Sequence, residues 1–244
     1  MRYKLFIEYD GTSFCGWQRQ KDGLSVQQII EDALKTIFKE EITLFGSGRT
    51  DAGVHAYEQV AHFDTTTEIT LYKLRESLNA LVRPHPISIK NVEIASDDFH
   101  ARFDAKKRIY FYKILNTPYP PSLLKNRVWW YKYPLNVDAM NEAAQLLIGK
   151  HDFSTFRASE CQAKSPIKTL DFINLTKEND LITMEIQARS FLHHQVRNII
   201  GSLVLVGAGK WSIEDFKKAF EAKDRRAGGP TAPAEGLYFA KILY

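Results

Sequence analysis

Ile42-Thr43-Leu44-Phe45-Gly46-Ser47-Gly48-Arg49-Thr50-Asp51-Ala52-Gly53-Val54-His55-Ala56-Tyr57-Glu58-Gln59-Val60-Ala61-His62-Phe63 places three glycines, one arginine and one aspartate between two apolar stretches. Ile42 to Phe45 reads as a short strand and Tyr57 to Phe63 as a second one, with Gly46 to Ala56 as the loop between them. The loop is no Walker phosphate loop, because no Gly-Lys-Ser/Thr follows. It is no dinucleotide fingerprint either, because Asp51 stands where the third glycine would be. The glycines instead permit an unusual backbone path or close approach of a ligand. In a locally extended backbone Arg49 and Asp51 share one side. A guanidinium there holds a carboxylate ionised and ready as a nucleophile. The same residues also suit a plain strand-to-strand turn with a surface ion pair.

Working outward, Lys4 to Tyr9 alternates with Leu5, Ile7 and Tyr9 on one face, the pattern of a strand. Ser25, with Gln28 three residues on, reads as a capping box opening a helix of Val26, Ile29, Ile30, Ala33, Leu34 and Ile37. Thr70 caps a second helix with Leu71, Leu74, Leu78 and Leu81, and Ile87 to Ile94 alternates as a strand. A similar succession then begins again. Arg108 to Leu115 has period 2, and Met140, Ala143, Ala144 and Leu147 are spaced as a helix. Leu170 to Leu175 and Leu181 to Ala188 form a hairpin around Glu178-Asn179-Asp180. Val196, Ile199, Ile200, Leu203 and Val204 make a helical stripe, Ser212 to Asp215 a second capping box, and Leu237 to Leu243 a closing strand. The expectation is an α+β protein of two βαββαβ-like halves, a pseudo-repeat with mainly antiparallel sheets joined around a central cleft. The halves are drawn as 1–104, carrying the aspartate loop, and 105–244.

Composition narrows the function. A hydrophobic fraction of 44% and a charged fraction of 25% are those of a globular domain, not of a disordered or collagen-like chain. No apolar run reaches the ~20 residues that span a bilayer. The first residues enter an alternating pattern without a signal-peptide stretch. Two cysteines, Cys15 and Cys161, exclude a disulfide framework and a cysteine-rich zinc site. A cytoplasmic protein fits these readings. The net charge of +4 is a weak pointer to a polyanionic partner.

Two further stretches bear on chemistry. In Arg108-Ile109-Tyr110-Phe111-Tyr112, Arg108, Tyr110 and Tyr112 share a face opposite Ile109 and Phe111. A basic and aromatic face of this kind suits an RNA-binding sheet, and equally an amphipathic strand with tyrosines at a solvent edge. In Arg189-Ser190-Phe191-Leu192-His193-His194-Gln195-Val196-Arg197-Asn198, Arg197 flanks the apolar stripe of a helix, where its head reaches outward while its stem packs. The histidine pair invites a metal reading, but no His-Glu-x-x-His or acidic spacing supports it.

Gly48-Arg49-Thr50-Asp51-Ala52-Gly53-Val54-His55-Ala56 resembles the active-site motif of the tRNA pseudouridine synthases of the TruA type. Glu8 to Gly11, Gly16 to Gln20, Ser25 to Gln27, Asp97 to Phe103, Phe191 to Asn198 and Ala234 to Tyr238 resemble the same family's other motifs, in order along nearly the whole chain. The resemblance implies isomerisation of uridines 38, 39 and 40 in the tRNA anticodon arm. It implies Asp51 as the essential nucleophile, Tyr110 against the flipped base, and Arg49 and Arg197 as substrate-binding arginines. It implies a homodimer, no cofactor, no metal and no membrane. Arg19, Lys106, Lys107 and Arg108 are candidate RNA-binding residues. An RNA-binding module without catalysis, and more remotely a metal-dependent hydrolase, are the competing classes.

Overall fold

The computed structural model describes residues Met1–Tyr244. In chain order the elements are β1 (Arg2–Tyr9), α1 (Val26–Phe38), β2 (Phe45–Gly46), β3 (His55–Asp64), α2 (Leu71–Leu81), β4 (Ile87–Ala95), β5 (Lys107–Leu115), β6 (Trp129–Trp130), α3 (Val137–Gln145), β7 (Gly149–Asp152), β8 (Ile167–Glu178), β9 (Leu181–Ala188), α4 (Gln195–Gly207), α5 (Ile213–Glu221) and β10 (Leu237–Leu243). The protein is α+β with mixed, mostly antiparallel strand pairing. No helix is long and apolar enough to cross a membrane. The chain divides into two compact units, Met1–Lys106 with Tyr238–Tyr244, and Lys107–Leu237.

In the first unit the strand order is β4-β1-β3-β10. β1 pairs antiparallel with both β3 (Tyr3 opposite Phe63) and β4 (Leu5 opposite Val92). The remaining edge of β3 is shared: β2 covers Ala61 and His62, while β10 runs parallel against His55 and Ala56. The closing strand thus falls with the first unit although it is last in sequence. Alternation on β1 buries Tyr3, Leu5, Ile7 and Tyr9. Val26, Ile30 and Leu34 of α1 and Leu74 and Leu78 of α2 are buried as well, with α2 packed on β4 and α1 against α2. Each such side chain contributes roughly 1.5–3 kcal/mol by leaving water. Ser25 Oγ accepts from Gln28 N at 3.2 Å and starts α1. The reciprocal half of the expected capping box is absent, because Gln28 Nε2 donates to Asp32 instead. Asn79 of α2 exchanges two hydrogen bonds with the backbone of Ile89, which fixes α2 on β4.

In the second unit the order is β5-β9-β8-β7, antiparallel throughout, with β6 parallel to the end of β5. Its element order, ββαβββαα, does not repeat the βαββαβ order at the start of the first. Tyr112, Ile114, Ile182, Met184 and Ile186 on the sheet, Met140, Ala143 and Ala144 of α3, and the apolar residues of α4 are all buried, and α3 packs against β8 and α4. Ser212 and Asp215 form a complete capping box on α5, and such caps contribute about 1 kcal/mol each. The hairpin of β8 and β9 is longer than the spacing predicts, starting at Ile167.

Candidate active site

The glycine-rich loop runs from β2 into β3, and its buried residues hold it from below. Thr50 is buried and exchanges a 2.7 Å hydroxyl–hydroxyl bond with Tyr9 of β1. Its carbonyl accepts from Trp17 N at 3.1 Å. Ser47 Oγ donates to Gln59 Oε1, and Gln59 Nε2 donates to the Gly48 carbonyl, so a buried glutamine on β3 pins the entry of the loop. Asp51 forms an isolated bridge with Gly16 and then opens a turn in which its carbonyl accepts from Val54 N at 3.2 Å. Gly53 takes φ +78°, the left-handed value such a turn demands at its third position. Gly16 has φ +115°, and a side chain there would meet the Thr50 carbonyl.

The result is a rigid pedestal. Thr50 and Val54 point inward and are buried, Asp51 is half-buried, and Ala52 at the tip is exposed. A carboxylate on a braced turn is held without a long flexible stem, as a nucleophile requires. Beneath the turn, His55 is buried, its Nδ1 accepting from Gly11 N at 3.0 Å and its ring stacked on Tyr238 at 4.7 Å. Tyr57 stacks on the other part of the same tyrosine, at 4.9 Å. Arg49 is exposed and makes no ion pair with Asp51. The expected local guanidinium–carboxylate pairing is therefore not formed: the Arg49 side chain stands in solvent.

In the second unit Tyr110 lies on β5 opposite Ile186 of β9. It is only 9% exposed and meets Phe191 edge-on at 5.2 Å. Arg108, two residues earlier on the same face, donates from Nη1 to the Arg189 carbonyl at 2.5 Å. The tyrosine face of β5 is thus the inner face: Tyr110, Tyr112 and Ile114 are buried, whereas Ile109 and Phe111 are half-buried. Tyr110 and Tyr112 therefore do not stand at a solvent edge. Tyr112 lies wholly inside, its hydroxyl donating to the Pro233 carbonyl at 2.7 Å. Burial pushes that hydroxyl well above its ordinary pKa; nearby Arg197 opposes the shift and Glu235 adds to it.

Arg197 sits in the first turn of α4, half-buried, with Nε donating to the Ala232 carbonyl at 2.7 Å. The segment before α4 is fastened by Cys161, whose sulfur accepts from His193 N at 3.4 Å. Burial pushes the Cys161 thiol up, but the backbone N–H groups of Ala163 and His193, with Arg157, outweigh it and leave the pKa below the usual thiol value.

Among the candidate RNA contacts, Lys106 is exposed and Lys107 pairs with Asp171 at 3.5 Å. Arg19 pairs at 3.0 Å with Glu31, which is 4% exposed and also accepts from Gln27 and from Leu44 N. Arg19 therefore balances a buried carboxylate, whatever else it meets. Sequence spacing gave no sign of Trp17 and Gln59 as supports of the Asp51 loop, nor of Gly229–Pro233 as a support of Arg197, since each acts through contacts that are not local in sequence.

An α+β chain with a carboxylate braced at the start of a glycine turn has the makings of an enzyme that works by nucleophilic or electrostatic assistance. The family model described as tRNA pseudouridine synthase matches residues 5–104 and 143–244. The tRNA pseudouridine synthase A of Paramagnetospirillum magneticum is 52% identical over 243 residues, covering 100% of this chain and 95% of that protein. The protein of the same name from Rhodopseudomonas palustris is 54% identical, covering 100% and 99%. This chain belongs to the tRNA pseudouridine synthase family, a family of isomerases.

Proposed function

We propose that the protein converts uridines 38, 39 and 40 of the tRNA anticodon arm to pseudouridine. Full-length identity of 52–54% to two tRNA pseudouridine synthases A carries this reading. The reaction breaks the bond from C1′ to N1 and forms one from C1′ to C5. A proton leaves C5 and N1 gains one, so no atom or electron is supplied from outside. Asp51 assists detachment of the base, by attack at C1′ or at C6. The uridine leaves its stack to be reached, at a cost of a few kcal/mol. Tyr110 contacts the flipped base and moves the C5 proton, directly or through water. Arg49 and Arg197 bind the substrate. Lys106, Lys107 and Arg108 are RNA contacts, each displacing counterions from phosphates. The active species is a cytoplasmic homodimer.

The test is tritium release from tRNA labelled at uridine C5. Release at positions 38–40, matched by pseudouridine at the same positions, is expected. Tight tRNA binding without release would leave an RNA-binding module and overturn the reading.

A further inference from the structure

The segment Gly229–Pro233 lies along one side of α4 as a strap, held at its start by Gly229 N donating to Ser202 Oγ and, further on, around the Ala232 carbonyl. Ala232 is buried and pairs with Arg197 in both directions: its N–H donates to the Arg197 carbonyl at 3.2 Å, and its carbonyl accepts from Arg197 Nε at 2.7 Å. The residues on each side of Ala232 are held by hydroxyls. Before it, Thr231 Oγ1 donates to Asn198 Oδ1 at 2.7 Å. After it, the Pro233 carbonyl accepts from the Tyr112 hydroxyl at 2.7 Å. Asn198 is itself immobilised, since it is wholly buried and its Nδ2 donates to the Phe156 carbonyl at 2.9 Å. The strap passes so close to the helix that a side chain at Gly201 would lie 1.8 Å from the Pro230 carbonyl.

We propose that Tyr112 and Thr231 are positioning residues for Arg197, acting through the Ala232 carbonyl. This rests on the reading of Arg197 as a substrate-binding residue. An arginine side chain has several rotatable bonds, and binding a substrate with it costs the entropy of fixing them. A carbonyl that engages Nε fixes the plane of the guanidinium before the substrate arrives. The two hydroxyls keep that carbonyl in register from opposite sides. Both lie outside the substrate contacts named above, and neither type of side chain, on a strand or in a loop, signals such a role in the sequence.

The experiment measures single-turnover rates and tRNA Kd for Tyr112→Phe, Thr231→Val, Arg197→Met and the two double variants with Arg197→Met. Displacement of a positioned group lowers rates by roughly 10- to 100-fold, so each hydroxyl variant is expected to lose about tenfold in rate, with tRNA Kd within about twofold. In the Arg197→Met background, neither hydroxyl variant is expected to lose more, because the group that it positions is gone. Thr231→Ser keeps the hydroxyl and is expected to restore the rate. Losses that multiply in the double variants, or single variants at the wild-type rate, overturn the proposal alone. A wild-type rate for Arg197→Met overturns the functional reading of Arg197 and this proposal with it.

Discussion

Replacing Gly16 with Ala tests whether the turn that carries Asp51 is held by contact rather than by its own sequence. The Gly16 φ of +115° is one that residues with a Cβ rarely adopt, and the added carbon would stand 2.5 Å from the Thr50 carbonyl oxygen. That oxygen is backbone and is already bonded to Trp17 N, so it cannot swing aside as a side-chain end would. Restoring an ordinary contact from 2.5 Å to 3.4 Å moves one backbone segment from the other by about 0.9 Å. Asp51 is the next residue and is bridged to Gly16 itself, so its carboxylate moves on the same scale. Misplacement on the order of 1 Å costs ~10²-fold in rate, and a forced backbone conformation costs ~1–3 kcal/mol. For a chain of this size ~2 kcal/mol corresponds to a Tm loss of ~4–8 °C. The assay is single-turnover tritium release from C5-labelled tRNA, with tRNA Kd and Tm measured alongside. The expected outcome is a rate down ~10²-fold with Kd nearly unchanged, because phosphate contacts spread over other residues supply affinity. Turnover within about threefold of wild type at unchanged Tm would refute the reasoning.

Tyr110→Phe keeps the edge contact with Phe191 and removes only the hydroxyl; the rate is expected to fall by ~10²-fold or more while tRNA Kd stays constant, and equal activity would assign the C5 proton to water or to Asp51. Arg19→Met leaves Glu31 buried with only neutral donors, so Tm is expected to fall, with ~1–3 kcal/mol lost from folding; a normal Tm with weakened tRNA binding would instead make Arg19 an RNA contact. Burial, then His100 and Arg2, lowers the pKa of His62 from 6.5 to about 4, against the weaker pull of Asp64 and Asp104. Between those values the unfolded chain binds a proton that the folded chain refuses, so stability is expected to fall as pH drops from about 6.5 to about 4, by at most about 3 kcal/mol; a His62→Gln variant with the same pH slope in chemical unfolding would rule this out.

Three of the helices, α1, α2 and α5, were legible because each has both a side-chain cap and a stripe, whereas α4 showed only its stripe. Ser25, Thr70 and Ser212 stand at N-caps; the apolar spacing follows the buried face on α1 and α5, while on α2 Leu74 and Leu78 are buried and Leu71 and Leu81 are exposed. The two-residue strands β2 and β6 are too short to show a period of two. β6 is simply the pair Trp129-Trp130, and β2 begins at Phe45, where the apolar stretch from Ile42 ends. Period 2 on β5 separated its two faces correctly but could not say which was buried. Tyrosine suits either side of a sheet, and the choice was made by α3, α4 and the strap, which are remote in sequence. The parallel return of β10 onto β3 is likewise a long-range pairing with no local signal. At the site, three glycines around Asp51 made the loop conspicuous. Its bracing did not show, since Tyr9, Trp17 and Gln59 reach it from elsewhere in the fold.

The most direct test of the central claim is Asp51→Asn. The amide keeps the size and the backbone of the turn but removes the charge and the nucleophilic oxygen. With C5-tritiated tRNA the variant is expected to release no label above background while binding tRNA with an affinity close to wild type. Turnover within about tenfold of wild type would contradict the account, because the carboxylate that the whole loop is built to present would then have no part in the reaction.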